Sequence, residues 1–315
     1  MRFKKPKFWD LKKPNFISYF LLPFTVPVVI NNVLLNKKIN HSRKIKTICV
    51  GNIYLGGTGK TPTTIRLYQI LKKLNFKVST AKKFYKSNID ENIILKNKTN
   101  FITEKNRIKI IEKAENLQQD IVIFDDGLQD NKISYDLQFV CFDVENWVGN
   151  GNLIPAGPLR EKLDSLKKYD GVFLKNNQQP LSDKIKIIKK NNPLIEIFET
   201  YYEINNIKNF NKQDRFLIFS GIGNPQNFKK ILLNQNFNIV EEKIFPDHYN
   251  YDKNDIEKIE KLAKKINAKI ITTEKDYVKV SKFDSIGIDY LEVSLKIKDE
   301  EKFINFIKKK IYEKH

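Results

Sequence analysis

One glycine-rich stretch constrains this chain more than any other part of it. Cys49-Val50-Gly51-Asn52-Ile53-Tyr54-Leu55-Gly56-Gly57-Thr58-Gly59-Lys60-Thr61-Pro62 follows an apolar run, Ile45 to Val50, and precedes a segment of helical spacing from Thr63 to Leu74. Strand, glycine turn, Lys-Thr and helix is the order a P-loop requires. Gly56, Gly57 and Gly59 let the backbone curl, so that successive N–H groups around Thr58 point at a triphosphate. Lys60 would reach its β- and γ-phosphates, the Thr61 hydroxyl would bind Mg²⁺, and the following helix presents its positive end. The strict pattern is broken, because Tyr54 stands where its first glycine belongs. A glycine turn capping a buried strand is the plainer alternative. Three glycines with Gly-Lys-Thr in strand–helix context favour phosphate.

At 315 residues and 41% hydrophobic composition, the chain is long and apolar enough for two ordinary domains. Its two cysteines, Cys49 and Cys141, lie in strand-like runs and read as buried thiols. Three histidines, His41, His248 and His315, give no zinc-ligand spacing. The net charge of +20 comes largely with lysine in a chain also rich in Asn and Ile. A solvated basic surface explains it. An anionic membrane or a phosphorylated substrate would exploit it. Nucleic acid is the weakest partner, since no arginine-rich arm, zinc finger or aromatic RNA-binding signature occurs.

Residues 1–44 differ from the rest. Phe16 to Ile30 is apolar and aromatic, interrupted by Pro23 and Pro27, and bracketed by Arg2, Lys4, Lys5 and Lys7 before and Lys37, Lys38, Arg43, Lys44 and Lys46 after. The run reads as too short and too interrupted for a membrane span of about 20 residues. No small-residue cleavage site follows it. Two readings stand: a segment lying in the membrane interface, or a helix packed on the catalytic domain.

From Ile45 strands and helices alternate, which predicts an α/β fold with a parallel P-loop sheet covered by helices on both faces. Strands are expected at 76–80, 121–124, 137–142, 171–174 and 194–204. Helices are expected at 107–117 and, after a Gly/Pro-rich loop, from Pro158 through Leu166. The P-loop domain then runs from 45 to 204, and a smaller α/β domain spans 205–289, entered through a polar linker that ends at Asp214. A return strand over Tyr290–Leu295 and an amphipathic helix over Glu300–Ile311 complete residues 290–315. Phe124-Asp125-Asp126-Gly127 ends an apolar strand downstream of the P-loop, where such folds place Mg²⁺ ligands. Thr61 and one of these aspartates would share the metal. A turn with an Asp cap is the alternative.

Val50-Gly51-Asn52, Gly56 to Pro62, Asp125 to Gln129, Gly149-Asn150-Gly151, Leu153 to Glu161, Gly221 to Pro225, Phe245 to Tyr249 and Thr272 to Asp276 resemble the tetraacyldisaccharide 4′-kinases in sequence and in order. The resemblance spans nearly the whole chain. It implies transfer of the ATP γ-phosphate to the 4′-hydroxyl of a tetraacylated glucosamine disaccharide 1-phosphate, at the cytoplasmic face of a Gram-negative inner membrane. It implies further that Asp90, in Ile89-Asp90-Glu91-Asn92, is the base, and that His248 pairs with it. The reacting groups would then lie in a cleft that domain closure assembles. Arg160 and Glu161 match the family's Arg-Glu, the first suited to phosphate and the second to the metal or the base network. A helix start is their alternative. The chain departs from the family at Asp130, where histidine is usual, and at Lys83-Phe84-Tyr85, where Arg-Gly-Tyr is.

A membrane-associated P-loop ATPase of the partitioning type is the competing class. Its signature lysine before the glycine pair is Leu55 here.

Overall fold

The computed structural model describes residues 5–34, 44–85, 89–130, 132–176, 179–283 and 287–312. Arg2, Lys4, Lys37, Lys38 and Arg43 of the basic clusters, and His41 and His315, lie outside them. The chain divides into two compact units: Lys5–Phe84 with Lys98–Tyr201 and Leu295–His315, and a second that contains Tyr85–Asn97 and Tyr202–Ser294. Residues 85–97 therefore group with the second unit, although on sequence alone they fall within the P-loop domain.

The larger unit opens with α1 (Phe16–Leu21), a 3-10 turn (Leu22–Thr25) and α2 (Val26–Leu34). β1 (Lys46–Gly51), α3 (Lys60–Lys73) and β2 (Val78–Lys83) follow. The chain then supplies α4 (Ile89–Lys98), β3 (Phe101–Glu104), α5 (Arg107–Asn116), β4 (Ile121–Asp125), β5 (Leu137–Asp143), β6 (Gly171–Lys175), α6 (Ser182–Asn191) and β7 (Glu196–Ile204). The smaller unit is built on β8 (Arg215–Ser220), α7 (Pro225–Leu233), β9 (Asn238–Ile244), α8 (Lys253–Lys265), β10 (Lys269–Thr273), α9 (Glu274–Val280) and β11 (Ile288–Leu291). β12 (Val293–Ile297) and α10 (Glu300–Tyr312) end the described chain.

The eight-stranded sheet has the order β12-β7-β6-β5-β1-β4-β2-β3, with β1 beside β4 and β5 in parallel register. Successive strand residues feed opposite cores, because side chains alternate across a sheet. Cys49, Val122, Phe124, Val140 and Phe142 join Ile110 and Ala114 of α5 and Ile188 of α6. Ile48, Val50, Ile123, Phe139 and Cys141 join Leu67 and Leu71 of α3 and Phe303 and Ile307 of α10. Helices thus cover both faces. Both cysteines are buried and free, and burial pushes the Cys141 thiol up to about 12.

The smaller sheet, β11-β10-β8-β9, is wholly parallel. Leu217 and Phe219 of β8 pack with Ile256 and Ile259 of α8. Phe216 and Ile218 pack with Phe228 and Leu232 of α7. A reciprocal cap between Asp252 and Asp255 starts α8.

Three sequence expectations change. No helix opens at Pro158; the next helical turn is a 3-10 segment, Leu163–Lys168, because Leu153 and Tyr54 both bridge to Leu159 and hold that stretch extended. The return strand over Tyr290–Leu295 is two strands, β11 in the smaller sheet and β12 in the larger, broken at Glu292. The apolar segment is longer than its prolines suggest. Phe16–Val33 spans 18 helical residues of mean hydropathy 1.6, long and apolar enough to cross a membrane by length and composition. Pro23 sits in the 3-10 turn and Pro27 in the first turn of α2, where an absent N–H costs little.

One side of that segment is docked. Val28 and Val29 pack against Tyr54, Leu153 and Leu159, Asn32 donates to the Arg160 carbonyl at 2.8 Å, and Ser18 meets Asn150 at 2.8 Å. Phe16, Tyr19, Phe20, Phe24 and Val33 are exposed.

Candidate active site

In the larger unit, β1 ends at Gly51 and the loop to Gly59 turns into α3. Gly59 caps that helix at φ +87°, a left-handed backbone that side-chain-bearing residues avoid. Asn52 braces the loop from within, donating to the Gly56 carbonyl at 3.2 Å and the Thr58 hydroxyl at 3.0 Å. Tyr54, the residue that breaks the P-loop pattern, is buried. Its hydroxyl donates to Asp10 at 2.6 Å and accepts from Lys5 at 3.0 Å. The missing glycine is thus a fastening point for the N-terminal segment. Leu55 N–H to the Pro158 carbonyl and Arg160 N–H to that of Ile53 tie the loop to the 153–160 stretch at 2.8 and 2.7 Å.

β4 delivers the two aspartates to the same sheet edge, Val50 being in register with Asp125. The Asp125 Oδ2 accepts from the Thr61 hydroxyl and from Lys82 Nζ, both at 2.8 Å. Its Oδ1 is buried without a hydrogen-bond partner. Asp126 adopts φ +62°, donates its N–H to the Val50 carbonyl, and turns its carboxylate to Arg160 at 3.0 Å and to Lys60 at 3.7 Å. The next position must be glycine. A Cβ on Gly127 would lie 2.5 Å from the Tyr135 hydroxyl and 3.0 Å from Cys49 Sγ.

Gln129 links the remaining groups. Its amide donates to the Asn52 carbonyl and to Glu161 Oε1, and its oxygen accepts from Arg160 at 3.1 Å. Glu161 is buried, also accepts from the Tyr169 hydroxyl at 2.9 Å, and through Gln129 steadies Arg160. Asp130, in the place of the family histidine, pairs with Arg107, which also donates to the Asp126 carbonyl.

Asp125 Oδ1 and the Thr61 hydroxyl are the hard oxygen donors that Mg²⁺ takes. Among the described residues no three His, Cys, Asp or Glu side chains converge as a cage.

The smaller unit holds a second cluster. Asp90 lies in the first turn of α4 and is buried, with Oδ1 and Oδ2 at 3.2 and 3.1 Å from His248 Nδ1. His248 follows β9 in a left-handed conformation (φ +56°) that its N–H fixes on the Gly221 carbonyl. α9 starts where β10 ends, with Thr273 as its cap, and sets Lys275 and Lys279 one turn apart. Their Nζ atoms lie 3.7 and 3.6 Å from Asp90 Oδ2. Burial pushes the Asp90 carboxyl up, but the His248 hydrogen bond and the Lys275 charge outweigh it and hold it below the usual value.

The larger unit therefore gathers Lys60, Thr61, Asp125, Asp126 and Arg160 around the loop of Gly56, Gly57, Thr58 and Gly59, and the smaller unit gathers Asp90 and His248. Sequence reasoning misses Lys82, Arg107, Lys275 and Lys279. The signal for Lys82 is a lysine that directly follows the small and apolar residues Val78 to Ala81 in a strand, and for the last pair a lysine repeat of four at a strand–helix junction.

The family model for tetraacyldisaccharide-1-P 4′-kinase, LpxK, matches residues 19–89 and 86–312. A tetraacyldisaccharide 4′-kinase of Pelagibacter ubique is 45% identical over 305 residues, covering 97% of both chains. One from Rickettsia bellii is 36% identical over 335 residues, covering 98% of both. Among solved structures, the apo form of LpxK from Aquifex aeolicus in complex with ATP superposes with a TM-score of 0.68 at 24% identity, over 94% of this chain and all of that one. The fold agrees with the last, the sequence with the first two along almost its full length, and the chain belongs to the tetraacyldisaccharide-1-phosphate 4′-kinase family.

Proposed function

We propose that Asp90, backed by His248, is the base of the family reaction, and that the P-loop, Lys60, Thr61, Asp125, Asp126 and Arg160 are its phosphate and metal machinery. The reaction transfers the γ-phosphate of ATP to the 4′-hydroxyl of tetraacyldisaccharide 1-phosphate. As the sugar oxygen forms its bond to γ-phosphorus, the bond from phosphorus to the bridging oxygen breaks and its electron pair leaves with ADP. Asp90 accepts the hydroxyl proton. Lys60 and the loop N–H groups hold the triphosphate, and Arg160 stabilises the charge that spreads over the transferring oxygens. Mg²⁺, when bound through Thr61 and Asp125 or Asp126, would neutralise charge on the β- and γ-phosphates. Glu161 serves by fixing Gln129 and Arg160.

The observation that carries this reading is the Asp90–His248 contact, a buried carboxylate kept ionised and oriented by an imidazole at 3.1 Å. A sugar hydroxyl is a weak nucleophile, and a positioned base typically contributes about 10²–10⁴-fold. Asp90→Asn should lower kcat by that factor while ATP binding, read by calorimetry, is unchanged. Near-normal turnover would place the base elsewhere.

The enzyme works, in this reading, at the cytoplasmic face of the inner membrane, as a peripheral or monotopic protein on an anionic surface. The exposed aromatic side chains of α1 and the 3-10 turn and the lysine-rich flanks support it.

A further inference from the structure

The Asp90–His248 pair does not stand alone. Lys275 Nζ lies 3.3 Å from His248 Nε2, 3.4 Å from Glu91 Oε1 and 3.4 Å from Asp247 Oδ1. An ammonium has three protons and no lone pair, and here it meets three acceptors. Burial works against its charge, but Glu91, Asp247, Asp90 and Asp276 outweigh that and hold the amine protonated, above the ordinary lysine value. A protonated Nε2 cannot accept from an ammonium. The contact therefore requires the lone pair on Nε2 and the ring proton on Nδ1, directed at Asp90.

We propose that Lys275 is a positioning residue: it locks His248 in the neutral, Nδ1-protonated tautomer, so that the imidazole only donates to Asp90 and Asp90 alone receives the substrate proton. This rests on the reading of Asp90 as base. Four carboxylates face the cluster, Asp90 and Glu91 from α4, Asp247 from the loop after β9 and Asp276 from α9, against the two ammoniums of Lys275 and Lys279. Without Lys275, Nε2 loses the donor that fixes its lone pair, and the ring can turn its proton toward Glu91 or Asp247, each 3.9 Å from Nε2. Lys279 approaches the carboxylate side, 3.6 Å from Asp90 Oδ2 and 2.8 Å from Asp276, with the Tyr251 ring centre at 5.4 Å.

The test is ¹⁵N NMR of the full-length, detergent-solubilised enzyme. Three histidines make the spectrum assignable, with His248→Gln identifying the signal. The wild type should show an Nδ1–H, unprotonated-Nε2 pattern at neutral pH. Lys275→Met should lose it, and Lys275→Arg, which also only donates, should keep it. In kinetics, the acidic limb of kcat/KM should move up by about one pH unit in Lys275→Met, as expected when a cation next to a carboxylate is removed, and much less in Lys275→Arg. An Nε2-protonated ring in the wild type, or an unchanged ring in a folded Lys275→Met, overturns the proposal. A locked tautomer combined with full turnover by Asp90→Asn would instead remove the base and keep the lock as a structural contact only, which also defeats the positioning role.

Discussion

Lys82 and Asp125 form a buried ion pair at 2.8 Å, almost without solvent exposure, beside the Thr61 hydroxyl. Removing one partner of such a pair leaves an uncompensated charge and typically costs about 3–5 kcal/mol. Lys82→Met should therefore destabilise the enzyme by that order in metal-free buffer, with part of the loss recovered in Mg-nucleotide; chemical denaturation with and without the nucleotide measures both. Asp90 gives a pH signature of opposite origin. Its carboxyl is held low in the folded chain, so its stabilisation is present above the unfolded value and fades as pH falls through the folded one. Asp90→Asn should be less stable than wild type at pH 7, and the gap should close in acid. At this scale the sequence motifs led to Lys60, Thr61 and Asp125, which the structure places on one side of the P-loop sheet. The sequence was silent at Lys82 and Lys275, whose partners lie 43 and 184 positions away and are brought close only by the fold, through paired strands for Lys82 and through helices α4 and α9 for Lys275.

Among the elements, the N-terminal helices link surface to site. One face of α2 grips the P-loop wall through Val28 and Val29, and Asn32 holds the Arg160 carbonyl. The preceding α1 and 3-10 turn carry Phe20 and Phe24 at 67% and 59% exposure, a cost in water that a bilayer interface removes. Phe20→Asp with Phe24→Asp should cut binding to anionic vesicles at least tenfold in a flotation assay and leave ATP affinity intact. Asn32→Leu should do the reverse, lowering kcat several-fold while vesicle binding persists. Continuous apolar runs made the central strands legible, as expected of parallel strands buried on both faces. α4, β3, α6 and α9 escaped, because short elements of ten residues or fewer carry little periodicity. The extended stretch around Leu159 escaped for another reason. Bridges to Tyr54 and Leu153 overrode the helical spacing of Leu159, Leu163 and Leu166.

For the whole molecule, the alternation of strands and helices anticipated a parallel P-loop sheet with helices on both faces, and the chain has it; that β1 sits between β4 and β5 came from the structure. The passage between units was less legible. It runs through β7, near Tyr201, and β12, near Leu295, so no composition shift marks it. Under the proposed roles both clusters serve one reaction, and its product is the decisive readout. Purified enzyme would be incubated with γ-labelled ATP, Mg²⁺ and detergent-dispersed tetraacyldisaccharide 1-phosphate, and the lipid analysed by ³¹P NMR and mass spectrometry. The account predicts one added phosphate, at the 4′ position, with Lys60→Ala and Asp90→Asn each reducing its formation at least a hundredfold. ATP turnover that is indifferent to this lipid and stimulated by DNA, with no labelled lipid, would contradict it.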